Sequence, residues 1–212
     1  LSGGTGLYVQ SLLENYNFND IKPNTKLRIE LDELYTEYGV NGLREYAQNL
    51  AEKGGIEIKY TDKHRLYRAI ELMTAGDYKS LIKQTKEGLS YKGPVIGLQR
   101  ERSDLYNRIN RRVEIMFEKG LVDEVKQLLK SGVNPNCQAF KGIGYKEVVQ
   151  YLEGLISYDA CVDLIQKNTR HFAKRQITWY KRMPYIEWIT IDSQTTEAEI
   201  YGMACNIIDS SF

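Results

Sequence analysis

The chain has 212 residues, 42% hydrophobic and 27% charged, which is enough to bury a core and too mixed for a disordered or fibrous polypeptide. Its 29 basic and 28 acidic residues leave a net charge of +1, so any surface for a polyanion must come from local clustering. Three cysteines without CxxC spacing and two distant histidines argue against a disulfide framework and a zinc site and fit a reducing cytoplasm, and no apolar run approaches a membrane span.

The chain opens on LSGGTGLYV. This reads as a strand end, a tight turn over Ser2 to Gly6 and a helix from about Leu7 to Glu14. Pro23 and Asn24 begin a different texture, with helical segments near Lys26–Tyr38, Gly42–Lys53 and Asp62–Met73 punctuated by Gly39, Gly54, Gly55 and Gly76. Residues 23–75 are expected to form a helical insertion, and Ile56–Tyr60 alternates as a short strand would. Pro94–Leu98 predicts a buried strand. A helix follows over Ser103–Lys119, with Ser103 as its cap. Next come a helix over Leu121–Lys130, a loop over Ser131–Gly144 and helices over Tyr145–Glu153 and Tyr158 to about Arg182. A strand at Ile186–Ile191 and a terminal helix from Thr196 complete the chain. Strands alternating with helices imply an α/β core built from residues 1–22 and 76–212, with only a thin sheet.

A glycine-rich turn at a helix start can attract an anion through its backbone N–H groups. Neither the phosphate-loop pattern ending in Gly-Lys-Ser/Thr nor G-x-G-x-x-G occurs, so the alternative is a tight turn with close helix packing and Thr5 as a cap. In the helix from Ser103, the residues Leu105, Ile109, Val113 and Met116 form an apolar stripe, with Arg112 inside it and Arg108 at its edge. A guanidinium there needs an anionic partner, either a structural carboxylate or a bound phosphate.

The long helix carries the clearest pattern. Val162, Ile165, Thr169, Phe172, Gln176 and Tyr180 share one arc, while Lys167, Arg170, His171, Lys174, Thr178, Lys181 and Arg182 share the opposite one. Arg175 and Trp179 lie at the border, and no acidic residue occurs from Gln166 to Tyr185. A solvated face normally mixes signs, so this ridge points to a phosphate backbone, with an ordinary solvated face as the alternative. Basic and aromatic residues mix again in Lys63–Arg68 and in Phe140–Lys146. Three such patches suggest a large polyanion, RNA.

Six blocks, SGGTGLYV (Ser2–Val9), HRLYRAIE (His64–Glu71), LYNRINRRVEIM (Leu105–Met116), GLVDEV (Gly120–Val125), GIGYKE (Gly142–Glu147) and TRHFAKRQITWYKR (Thr169–Arg182), run in order along the chain. Together they resemble the tRNA dimethylallyltransferases, also called tRNA isopentenyltransferases. The resemblance implies transfer of a dimethylallyl group from dimethylallyl diphosphate to N6 of the adenine beside the tRNA anticodon. It implies a partial P-loop-NTPase-like core, a helical insertion gripping the anticodon stem-loop, and Mg2+ bound with the diphosphate. Carried over by position, Thr5, Arg28, the segment His64, Arg65, Leu66, Tyr67 and Arg68, and the segment Lys141, Gly142, Ile143, Gly144, Tyr145 and Lys146 become tRNA contacts. So do Lys174, Arg175, Gln176, Ile177, Thr178, Trp179, Tyr180 and Lys181, and one of Arg108 and Arg112 serves the diphosphate. Family members carry a phosphate loop and a catalytic aspartate ahead of the SGGTG turn. The expectation is that this chain lacks both, supplies no catalytic residue of its own and acts as a monomer without a membrane partner. Two rival readings are an adenylate isopentenyltransferase acting on a free nucleotide, which would need neither the arm nor the basic helix, and a non-catalytic RNA-binding protein.

Overall fold

The computed structural model describes residues 2–16, 21–82 and 89–212. The chain divides into two compact units, Gln10–Ser90 and the combination of Leu1–Val9 with Tyr91–Phe212.

The first unit is a helical hairpin. Helix α1 (Gly6–Leu13) leads into it from the opening turn. Helix α2 (Thr25–Lys53) starts where the Asn24 side chain accepts the Leu27 amide, and α3 (Lys63–Thr74) starts where Asp62 accepts that of Arg65. Leu27, Leu31, Leu43, Ala47 and Ala51 of α2 pack on Leu66, Ala69, Ile70 and Met73 of α3. The two segments expected at 26–38 and 42–53 form one helix broken at Gly39, whose φ of 65° and ψ of −157° are open to glycine alone. The strand expected at Ile56–Tyr60 does not form. Ile56, Ile58 and Tyr60 do face the core in alternation, but no second strand lies beside them among the described residues, and a ladder needs a partner.

The second unit contains strand β1 (Val95–Arg100), then α4 (Arg102–Glu118), α5 (Leu121–Lys130), α6 (Tyr145–Leu152), α7 (Tyr158–Tyr180), strand β2 (Ile186–Ile191) and α8 (Glu197–Ser210). The strands pair in parallel, from Val95 opposite Ile186 to Arg100 opposite Ile191. Among the described residues the sheet is these two strands, so the α/β expectation holds only in part: the protein is mostly helical with a small parallel sheet. Val113, Leu121, Val125, Phe140, Val148, Cys161 and Ile165 join α4 to α7 in one core. The cap of α4 is Glu101 rather than Ser103. Its Oε2, one carboxylate oxygen with two lone pairs, takes the amides of both Ser103 and Asp104.

Candidate nucleic-acid interface

The C-terminal half of α7 and the residues just after it carry a groove of about 470 Å³ lined by His171, Lys174, Arg175, Thr178, Trp179 and Arg182. Among the described residues no carboxylate lines it, and none forms an ion pair with Lys174, Arg175, Lys181 or Arg182. Arg175 leans on the ring of Phe172, 5.8 Å from its centroid. Phe172 was expected on the packed arc but is exposed, because Ala173 takes the buried position beside it. Arg170 is half-buried, and its Nη1 donates to Asn110 Oδ1 at 2.5 Å, tying α7 to α4. Lys167, Lys174 and Lys181 are exposed.

The opening turn lies against this helix. Gln176 Nε2 donates to the carbonyl of Gly4 at 2.7 Å, the Tyr180 hydroxyl donates to that of Gly3 at 3.5 Å, and Gly6 packs on the Trp179 ring. Gln176, Trp179 and Tyr180 therefore hold the turn. Thr5 is exposed at the head of α1, with its carbonyl accepting the amides of Tyr8 and Val9. Thr5 thus stands beside the cationic groove, on backbone whose small residues are required by contact with α7. Ile177 is half-buried.

In the loop before α6, Lys141, Gly142, Ile143 and Lys146 are exposed, Gly144 is buried, and half-buried Tyr145 stacks at a tilt on Phe140 and donates to Glu124. Glu147 is buried behind this loop. Its Oε2 accepts the Gly144 amide and its Oε1 accepts Asn168 Nδ2, both at 2.8 Å. Burial, and then the charge of Glu147, push the Cys161 thiol from 9.0 up to about 11. Glu147 and Asn168 were not singled out from sequence, although a Glu at the third helical position is the usual spacing for a carboxylate that reaches back to a helix start.

Arg108 and Arg112 are exposed, which corrects the expectation of a guanidinium inside a buried stripe. Only Ile109 and Val113 are buried on α4, so the stripe is narrow and Arg112 falls beyond its margin. Neither arginine has a carboxylate partner among the described residues, which removes the structural salt bridge as their explanation.

In the helical unit, His64 and Arg65 are exposed, whereas the Leu66 and Tyr67 side chains belong to the core, with the Tyr67 hydroxyl donating to Asp32. Arg28 makes two hydrogen bonds to Glu71, at 2.7 and 3.2 Å, and Arg68 a third at 3.2 Å. Arg68 also donates to the carbonyl of Ile21, and the Asn24 amide donates to Glu71. Burial pushes the Glu71 carboxyl up, but the bonds from Arg28, Asn24 and Arg68 together hold it below the usual carboxylate range. The Arg28–Glu71–Arg68 bridge ties the start of α2 to α3.

Among the described residues no group of three or more His, Cys, Asp or Glu side chains is placed to hold a metal, and no helix is long and apolar enough to cross a membrane.

The family model described as IPP transferase matches residues 1–183. A tRNA dimethylallyltransferase of Clostridioides difficile (strain 630) is 38% identical over 91% of this chain and 62% of its own length. Another, of Alkaliphilus metalliredigens (strain QYMF), is 36% identical over 98% of this chain and 67% of its own. The crystal structure of the full-length tRNA isopentenylpyrophosphate transferase of Bacillus halodurans superimposes with a TM-score of 0.60 at 32% identity, over 98% of this chain and 65% of that one. That of the tRNA delta(2)-isopentenylpyrophosphate transferase of Staphylococcus epidermidis does so with a TM-score of 0.62 at 33% identity, over 99% and 68%. The chain thus spans about two thirds of the length of each relative. The matches agree with the resemblance carried by the six blocks: this chain belongs to the IPP transferase family.

Proposed function

We propose that this chain is the RNA-binding and donor-binding part of a tRNA dimethylallyltransferase, which moves a dimethylallyl group from dimethylallyl diphosphate to N6 of the adenine beside the anticodon. The observation that carries the reading is the groove on α7, whose cations have no carboxylate partner among the described residues, with one indole in its lining and Thr5 standing beside it. Free Lys and Arg side chains on one helix face suit a phosphate backbone, and an adjoining aromatic suits a base taken out of its stack. The exposed Lys141 and Lys146 extend the same chemistry, and His64 and Arg65 give the helical unit a basic patch for the anticodon stem-loop.

The reaction forms a bond from N6 to the allylic carbon and breaks the bond from that carbon to the diphosphate oxygen, which leaves with the electron pair. The adenine amine is a weak nucleophile because its lone pair is delocalised into the ring, so a base must take its proton as the new bond forms. The leaving group carries the largest charge change. Arg108 and Arg112, without carboxylate partners among the described residues, are the groups this chain offers to neutralise it. Mg2+ travelling with the diphosphate would supply further neutralisation. Among the described residues, Arg108 and Arg112 offer guanidinium charge to that leaving group.

The test is nucleoside mass analysis of tRNA incubated with the full-length protein and dimethylallyl diphosphate. One adenosine heavier by a dimethylallyl group, located beside the anticodon, is the expected product. Tight tRNA binding without any modified adenosine would favour the non-catalytic RNA-binding reading, and prenylation of free AMP in preference to tRNA would favour the adenylate enzyme.

A further inference from the structure

The loop Gly142–Lys146 and helix α7 meet through one buried carboxylate that the proposed chemistry does not use. Glu147 is 3% exposed, and no cation pairs with it among the described residues. Burying such a group is costly, and an aliphatic side chain of similar size would hold α6 against α7 at lower cost. What the aliphatic chain would lack is two acceptor oxygens. One takes the amide of Gly144, at 2.8 Å, and the other takes the Asn168 side chain on α7, also at 2.8 Å. Gly144 has φ of 105° and ψ of −60°, a turn conformation that glycine reaches freely and that the bond to Glu147 fixes among the many open to it. The loop so held displays Lys141 and Lys146, and the helix so held displays the Lys167–Arg182 ridge.

We infer that Glu147 is a positioning residue: through Gly144 and Asn168 it sets the Lys141–Lys146 loop in register with the cationic face of α7, so that both meet one RNA backbone. This rests on the reading of those two patches as an RNA interface. A carboxylate acting on RNA only through its charge would repel the phosphates. Positioning predicts the reverse, that removing it weakens binding.

The full chain tests this with a reciprocal exchange of the two side chains. Asn168→Asp sets two carboxylates face to face. In Glu147→Gln/Asn168→Asp, the new amide oxygen accepts the Gly144 amide while its NH2 group donates to the new carboxylate, so the bridge re-forms with reversed polarity. Two readouts are taken: hydrogen exchange at the 142–146 amides without RNA, and affinity for a synthetic anticodon stem-loop RNA at fixed salt. Glu147→Ala and Asn168→Asp should speed exchange at Gly144 and weaken RNA binding about tenfold, with the double variant returning to within roughly twofold of wild type. Unchanged exchange in Glu147→Ala, or faster exchange with unchanged or tighter RNA binding, overturns the inference. Lys141→Ala and Lys146→Ala separate it from the underlying reading: if they leave RNA affinity intact, the interface itself is wrong, whatever the exchange data say of the bridge. Should Glu147→Ala not fold, failure of the double variant to recover Gly144 protection and RNA affinity overturns the inference equally.

Discussion

The indole of Trp179 fills the space in front of Gly6, where an added Cβ would lie 2.3 Å from Cδ1 and 2.7 Å from Cγ. Both atoms sit near the root of a stiff side chain, so a methyl group at position 6 must displace the ring or the turn. Gly6→Ala should therefore cost about 1–3 kcal/mol. In a Trp179→Ala background the same change should cost nearly nothing, giving a coupling of at least ~1 kcal/mol in a double-mutant cycle by urea unfolding. Additive costs would place the ring elsewhere in solution.

Glu71 should dominate the acid response of the helical unit. Its carboxyl is held below 4.5 in the folded state, so its bonds add stability above that value and lose it as pH falls through the lower folded value. Glu71→Gln should lower stability at pH 7 by about 2 kcal/mol, the scale of lost charged hydrogen bonds, and flatten the decline below pH 4.5. Melting temperatures across pH 3–7 for both proteins check this. Parallel curves would mean the bridge from Arg28 and Arg68 is energetically silent.

Lys174→Glu and Lys181→Glu should weaken cognate and non-cognate RNA alike, because phosphate contacts position a partner without reading its bases. Both side chains are exposed, so the fold should survive. Each lost contact should lower the slope of log affinity against log salt by roughly one unit. Thr5→Ala should leave the slope unchanged and instead reduce transfer to the target adenine. Affinities over a salt series, paired with transfer assays, separate the two effects.

Arg108 and Arg112 offer a different contrast. Neither is tied to a carboxylate among the described residues, so Arg108→Gln and Arg112→Gln should unfold as wild type does. Whichever serves the diphosphate should raise KM for dimethylallyl diphosphate or slow transfer by about 1.5–3 kcal/mol when replaced. Normal donor kinetics in both variants would remove these two residues from the donor site.

How far the sequence carried the argument depended on whether each signal was local. Helix α5 begins and ends at Leu121 and Lys130 as its glycine and periodicity predict, and β2 occupies Ile186–Ile191 as its apolar run predicts. The acid-free stretch of α7 was visible without a structure because sign and period both sit on one helix. Contacts across the chain were not visible. Arg28 and Glu71 lie 43 residues apart, so nothing near Arg28 showed that its guanidinium was already engaged. The Ile56–Tyr60 alternation reported which side chains face inward and could not report whether a second strand lay beside them. Leu66 and Tyr67 entered as part of a basic block, although their own apolar character put them in the core. Glu147 stands in the GIGYKE block without any local sign of its partner, because Asn168 lies 21 residues on.

The break at Gly39 makes the helical unit tolerant of changes in length. In an unbroken helix every inserted residue turns all that follows by about 100°, so a single insertion carries the inward face round to solvent. Leu27 and Leu31 precede the break and Leu43, Ala47 and Ala51 follow it, each set meeting α3 on its own terms. Among the described residues nothing crowds the place a Cβ at position 39 would take, so its backbone angles rather than a lack of space reserve the position for glycine. A residue inserted at the break should therefore disturb the packing less than one inserted between Leu27 and Leu31, and should leave Arg28 on Glu71.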